Sequence, residues 1–338
     1  PGIGAHRSVG RAENIDARNR PLERARRAGK EPVIAEKLPG ESKGREVERD
    51  LRRVFIPIWG KRPAVDITAL DVRTAIKAVK VEGKTYQAHN LLGYVRRLYN
   101  WAINQHVYGI ENSPCDRLNP ESIIGDRPSR TRILNDAELR ATWLAAEKLG
   151  YPYGPLFKLL MLTGARRSEV SEAIWSEFDL TKKLWSIPAE RMKADAAHIV
   201  PLSDDAVAIL QPLPRFKSGD HVFTTTYGAK PVNSHDKAKR RLDAEMAKLL
   251  GDFPDFVIHD LRRTVRTRLS AIPNISDLVR ELVIGHTKPG LHKVYDQYAY
   301  LDEKRFALDA WAAQLRSIVE PPPANVRPLL PKRRPVTN

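Results

Sequence analysis

Arginine, histidine and tyrosine recur in this chain at spacings that would serve phosphate chemistry. Arg166 comes just after Thr163-Gly164, where a helix break follows the apolar run Leu156 to Leu162, so it enters the first turn of a new helix. There a guanidinium can reach a phosphate beside the N–H groups of the helix start. Glu169, three residues on, can share that face and hold the guanidinium, whereas Arg167 points elsewhere. His259 and Arg262 are also three apart, so one helical turn presents an imidazole and a guanidinium to a common point. The planar fork of arginine suits two phosphate oxygens at once, which lysine cannot copy. Attack of a hydroxyl on a phosphodiester adds negative charge to the non-bridging oxygens, and fixed cations must meet it. Tyr295, Tyr298 and Tyr300 are three candidate hydroxyls. A tyrosine pKa of about 10 leaves roughly 4 kcal/mol of missing ionisation at neutral pH, which a cationic pocket must lower. Taken singly, each string has an ordinary reading: an exposed arginine, a chance His-x-x-Arg, a histidine capping a helix end.

Composition constrains the partner independently. The chain has 338 residues, with 57 Lys and Arg against 41 Asp and Glu, a formal charge of +16 and a pI of about 9.9. Such a protein pairs with a polyanion, and nucleic acid fits best. A membrane is the competing polyanion, yet no run approaches the ~18 apolar residues of a spanning helix. The first residues lack the apolar stretch of a signal peptide. One cysteine, Cys115, allows neither an internal disulfide nor a cysteine zinc site, which points to a reducing, cytoplasmic location. No acidic cluster points to a metal, and no cofactor is expected.

The positioning elements read as mainly α with a small β-sheet (α+β), in two domains. Residues 1–43 are polar, basic and rich in Gly and Pro, the pattern of a linker with one short helix. A helical domain follows over 44–120, with helices from Glu46 to Phe55, from a capping box at Thr68-Ala69-Leu70-Asp71, and from Thr85 to His106. In the last of these, Leu91, Leu92, Val95, Leu98, Tyr99 and Ala102 form an apolar stripe. Gln87, His89, Arg96 and Arg97 mark the other face, either a solvated basic surface or a set of contacts to a nucleic-acid backbone. A polar connector spans 121–132. The second domain, 133–320, restarts at Leu134-Asn135-Asp136-Ala137-Glu138, with Asn135 or Asp136 as N-cap. Leu184-Trp185-Ser186-Ile187-Pro188 and His198-Ile199-Val200-Pro201-Leu202 have strand character, with Arg191 to Ala197 as the turn between them. Their prolines confine both to an edge or to strand ends. Phe256-Val257-Ile258 would bury the approach to His259, while Arg263, Arg266 and Arg268 give the same helix basic faces suited to DNA. His198 and His292 match no motif and read as surface residues. Leu301, Leu308, Trp311 and Leu315 repeat at helical spacing, and 321–338 reads as a disordered, basic, Pro-rich tail.

Order and spacing together are more specific than any one string. Thr163-Gly164-Ala165-Arg166-Arg167-Ser168-Glu169, then Ile258-His259-Asp260-Leu261-Arg262-Arg263, then Ile284-Gly285-His286, with Val294-Tyr295 nine residues after that histidine, resemble the tyrosine recombinase (phage integrase) family. The likeness is strong over about 134–316 and looser over 44–119. Val294 to Tyr298 and Leu301 to Arg305 look most like integrases of prophages and genomic islands. The resemblance implies a helical core-binding domain joined to a catalytic domain. It also implies transesterification without ATP or metal, in which Tyr295 forms a 3′-phosphotyrosine. By the same likeness Arg166, His259 and Arg262 serve the phosphate, and His286 donates to it or packs against the nucleophile. Lys193, in Arg191-Met192-Lys193, matches the family's β-hairpin lysine, the general acid. The implied partners are double-stranded DNA attachment sites, a homo-tetramer on two duplexes and accessory DNA-bending proteins. The helix after Tyr300 then packs in cis or docks on a neighbouring subunit. The chain starts at Pro1 without an initiator Met and so reads as a fragment or a processed chain, with 1–43 as a linker or the remnant of an arm-binding region. Two rivals stay open: a type IB topoisomerase-like enzyme, and a catalytically inactive DNA-binding or architectural protein.

Overall fold

Apolar residues recurring at helical spacing dictate both halves of the molecule. The computed structural model describes Leu38, Glu41 and residues 43–127, 129–192, 196–286 and 298–321; Lys193, His292, Tyr295 and the tail from 322 lie outside them. Two compact units divide the chain, Pro1–Arg130 and Thr131–Asn338. Among the described residues, no helix is long and apolar enough to cross a membrane.

The first unit contains α1 (Gly44–Val54), α2 (Ile56–Trp59), α3 (Ala69–Val81), α4 (Thr85–Asn104) and α5 (Pro120–Ile124). Helix α3 starts where the sequence predicts. The Thr68 hydroxyl accepts from the Asp71 backbone N–H at 3.2 Å, and the Asp71 carboxylate accepts from the Thr68 N–H at 2.8 Å. All six stripe residues of α4 are buried, packed with Val47, Leu51, Val72 and Ile76. Leu38 is buried in the same core, so the unit reaches back beyond Gly44. Helix α5 brings Ile123 and Ile124 into that core too, where a polar connector is expected from sequence. Cys115 is fully buried, and burial pushes its thiol up to about 11.

The second unit is organised on α7 (Tyr153–Thr163), most residues of which are buried. Packed on it are α6 (Asp136–Leu149), α8 (Arg167–Ser171), α9 (Asp204–Leu210), α11 (Ile258–Leu269) and α13 (Leu301–Val319). Helix α10 (His235–Leu250) lies on α6, and α12 (Asp277–Val283) lies on α13. Asn135 caps α6, exchanging hydrogen bonds with Glu138 at 2.8 and 2.9 Å. A three-stranded antiparallel sheet joins β1 (Phe178–Asp179), β2 (Leu184–Ile187) and β3 (His198–Pro201) in that order. Pro188 falls just past β2 and Pro201 ends β3, an edge strand, so neither removes a needed ladder donor. The two-residue β1 has no sequence signal of its own.

Leu308, Trp311 and Leu315 pack in cis into this core, and the Trp311 Nε1 donates to the Met161 carbonyl at 2.8 Å. Trp311→Ala should therefore cost about 3–5 kcal/mol. A thermal melt of the protein in the absence of DNA checks this; an unchanged transition would show that the helix has no core role within one chain.

Candidate active site

Two arginines from distant parts of the sequence meet at the end of α7. Gly164 ends that helix in the left-handed region (φ +64°), and a Cβ there would lie 3.0 Å from Val265 Cγ1. The chain turns at Gly164 and delivers Arg166 to the N-cap of α8. Glu169 accepts from the Arg166 backbone N–H at 2.7 Å and from its Nη1 at 2.5 Å, as its spacing predicts. From α11, Arg262 reaches the same corner and donates from Nη1 to the Gly164 carbonyl at 3.0 Å. Arg262 is buried, and its Nη2 is buried with no acceptor among the described residues. Burial, then the charge of Arg166, brings the Arg262 pKa down to about 10, so it stays a cation at neutral pH.

The histidine motifs converge on this pair. Arg166 Nη2 donates at 3.4 Å to the carbonyl of Gly285, the residue before His286. His259 stands in the first turn of α11; desolvation and then Arg262 and Arg263 hold its pKa below the ordinary 6.5. The His286 Nδ1 donates to the Glu281 carboxylate, which also accepts from Arg266 Nε at 2.6 Å. Burial alone would raise Glu281, but these two hydrogen bonds outweigh it and hold its pKa below the usual value. Phe256 is buried as expected, whereas Val257 is exposed.

The basic face assigned to α11 is engaged within the fold. Arg263 pairs with the buried Asp260, Arg266 bridges Glu281 and Asp277, and Arg268 pairs with Asp136. In the first unit, Arg96 donates to the Leu118 carbonyl at 2.7 Å, Arg97 pairs with Glu41 at 2.9 Å, and His89 Nε2 lies 3.1 Å from the Gly125 carbonyl. Gln87 is half-buried on the same helix. Of the tyrosines, Tyr298 is exposed and stands edge-on to Tyr300 at 4.8 Å. The Glu303 carboxylate pushes the Tyr298 phenol up, which makes it a poorer nucleophile.

His198 is not a surface residue. It is buried at the start of β3, against the Gly285 turn. Gly285 has φ +69°, and a Cβ there would lie 3.1 Å from His198 Cδ2 and 3.3 Å from Met192 Cε. The sequence gives no sign of this, because the contact depends on β3 passing beneath the end of α12. Lys304 is buried nearby and donates to the Ile199 carbonyl at 2.8 Å. Burial, then the Lys304 charge, lowers the His198 pKa to about 4. The unfolded chain therefore binds this proton more readily. The stability contributed by His198 is complete above about pH 6.5 and is lost as the pH falls towards 4. Between pH 7 and pH 5 the loss is about 2 kcal/mol. Urea unfolding at the two pH values should show it, and His198→Gln should remove that component; equal pH dependence in both proteins would refute the assignment.

Comparison with known proteins follows the same division of the chain. Residues 132–300 match the model of the phage integrase family, and residues 33–119 match the phage integrase central domain. Prophage integrase IntZ of Escherichia coli (strain K12) is 28% identical over 296 residues, covering 86% of this chain and 70% of its own. The integrase of Enterobacteria phage P4 is 31% identical over 298 residues, covering 80% of this chain and 64% of its own, and prophage integrase IntA of Escherichia coli is matched over 63% of its length. The chain thus spans roughly two thirds of the length of these relatives. In fold it is similar to a lambda integrase tetramer bound to a Holliday junction, with a TM-score of 0.59, 18% identity, and 85% of this chain and 83% of that one covered. The Tn1549 transposon integrase in complex with circular intermediate DNA gives a TM-score of 0.59 at 17% identity, covering 81% and 97%. A family match over half the chain, on a mainly helical fold with one small sheet, shows that this chain belongs to the phage integrase family, the site-specific tyrosine recombinases.

Proposed function

We propose that this corner of the second unit holds one scissile phosphate of a double-stranded DNA attachment site, and that Tyr295 attacks it. The observation that carries this reading is Arg262. It is a buried cation with one donor fixed on Gly164 and a second buried donor unmatched, beside another guanidinium. A buried donor left without an acceptor costs about 1–3 kcal/mol, and more when charged. A phosphate oxygen supplies both the missing acceptor and the missing charge.

In this mechanism Arg166 and Arg262 bind the non-bridging oxygens. The Tyr295 phenol gives its proton to His259, whose pKa is lowered by burial and then by its arginine neighbours, and its oxygen bonds to phosphorus. The bond to the 5′ oxygen breaks as Lys193 delivers a proton to it, leaving a 3′-phosphotyrosine and a 5′ hydroxyl. The 5′ hydroxyl of a partner duplex then attacks the phosphotyrosine, and the strands are exchanged. The bond energy stays in the protein–DNA link, so the step needs no ATP. His286, whose Nδ1 serves Glu281, is the further proposed donor to the phosphate. Gln87, His89, Arg96, Arg97, Arg263 and Arg266 are the proposed backbone contacts, which fix register and carry no sequence information. Assembly as a homo-tetramer on two duplexes, with accessory bending proteins, in the cytoplasm where the DNA lies, completes the reading. The tetrameric lambda integrase of similar fold supports it.

The test is trapping on nicked suicide duplexes, pooled to span the ends of the mobile element and resolved on a denaturing gel. The unaltered chain should give a covalent protein–DNA band, and Tyr295→Phe should give none. Arg262→Ala should slow its formation by about 10²–10³ while DNA binding persists. A band that survives Tyr295→Phe would move the nucleophile to Tyr298 or Tyr300. Specific binding with no band from either protein would instead favour a non-catalytic role.

The pH profile tests the proton acceptor separately. At subsaturating protein the trapping rate reports ionisations of the free enzyme. A lowered His259 pKa keeps the imidazole neutral to lower pH, so the rate should hold down to about pH 6.5 and fall only below it. An acid limb centred above pH 6.5 would remove His259 from that role.

A further inference from the structure

One buried ion pair outside the motifs ties the sheet to the helix start that carries Arg166. Arg191 closes the short 3-10 turn after β2 (Ala189–Arg191). Its Nη1 donates to both oxygens of Glu177, a buried carboxylate that also accepts from Trp185 Nε1 at 2.9 Å. Its Nη2 donates to the Glu169 carbonyl at 2.6 Å and to the Ser168 carbonyl at 3.4 Å. One planar guanidinium thus spans the sheet and α8, a geometry that a lysine ammonium cannot reproduce. The next residue, Met192, is buried with its side chain against Gly285, and its N–H donates to the Ala189 carbonyl at 2.9 Å. Arg191 and Met192, the two residues before Lys193, are therefore held from three directions: the sheet, the Arg166 helix and the Gly285 turn.

We infer that Arg191, held by Glu177, is a positioning residue that ties the segment leading to Lys193 to the helix start carrying Arg166, and so governs proton delivery to the leaving group. The inference rests on Lys193 being the general acid. A purely structural ion pair would weaken every step of the reaction alike, whereas a positioning pair would weaken the proton-dependent step selectively.

A duplex with a single 5′-bridging phosphorothiolate at the cut bond separates the two. Its sulfur leaves as a thiolate, because thiols ionise near pH 8.5, and it needs no proton from the protein. The bond from Tyr295 to phosphorus forms as before, and the P–S bond breaks in place of P–O. The duplex is one that traps the unaltered chain, made in both forms. Lys193→Ala, Arg191→Lys, Arg191→Met and Glu177→Gln/Arg191→Met are compared on each. The double variant removes the carboxylate that Arg191→Met would leave unpaired, and melting curves establish that each protein is folded. On the ordinary phosphodiester the Arg191 variants should lose about 10²-fold, the low end of the contribution of a placed proton donor. On the phosphorothiolate all should cut at nearly the unaltered rate, as Lys193→Ala should. If Lys193→Ala alone is rescued, or if the folded Arg191 variants lose nothing on the phosphodiester, the positioning role is overturned. If Lys193→Ala is not rescued, the assignment of the general acid fails first, and the inference with it.

Discussion

Two guanidinium groups forced into one corner are the constraint around which the second unit is built. Arg166 and Arg262 repel, and the fall of Arg262 to about 10 registers that repulsion on top of its burial. Each neighbouring feature offsets part of the cost. Glu169 supplies one buried carboxylate, and the Gly164 and Gly285 carbonyls supply two acceptors. Those carbonyls point inward because both glycines sit in the left-handed region, against walls that a side chain would crowd. Helix α7 ends where it does for the same reason. Its apolar residues anchor the unit, and its C-terminal turn becomes the rim of the pocket.

Local signals in the sequence are the ones that survive into the structure. The capping box at Thr68, the N-cap at Asn135, the stripe of α4 and the three-residue spacings of Arg166 with Glu169 and of His259 with Arg262 all depend on neighbours within one or two helical turns. What sequence reading missed lies across the fold. His198 looks like any polar residue before a strand, and only the passage of β3 beneath Gly285 buries it. Arg191 looks like a turn residue, and only the pairing of β1 with β2 brings Glu177 within its reach. Lys304 follows the late tyrosines as one more surface cation would, yet it is buried against β3. Family order and spacing single out the residues proposed for the reaction, while the contacts made by His198, Arg191 and Lys304 are visible only in three dimensions.

Net charge turns out to be a coarse guide to the DNA-facing surface. An excess of +16 is real, but many arginines near the pocket are matched to carboxylates: Arg263 to Asp260, Arg266 to Glu281 and Asp277, Arg268 to Asp136. These pairs position side chains more than they add field, since opposite charges in contact cancel at a distance. In the first unit Arg97 likewise answers Glu41, although nearly half of its side chain stays open to solvent. A residue can thus have an intramolecular partner and still present a donor to a phosphate. For Arg266 the partner has a second consequence: the same Glu281 that holds it also fixes the ring of His286.

The charge left over in the pocket bears on rate as well as on binding. Arg166 and Arg262 carry two positive charges, Glu169 returns one negative charge, and Lys193, in its proposed place, adds a third cation. A phosphodiester brings a single negative charge and leaves such a pocket one unit too positive. In the proposed attack a second negative charge gathers on the phosphorane beside the arginines, while the tyrosine proton carries its positive charge away to His259. The pocket is therefore better matched to the transition state than to the bound substrate, the condition under which binding energy lowers a barrier and does more than tighten a complex. Two more carboxylates facing the arginines would make a more comfortable fold and a poorer catalyst. The buried donor of Arg262, unmatched among the described residues, is what such a trade leaves behind in the fold.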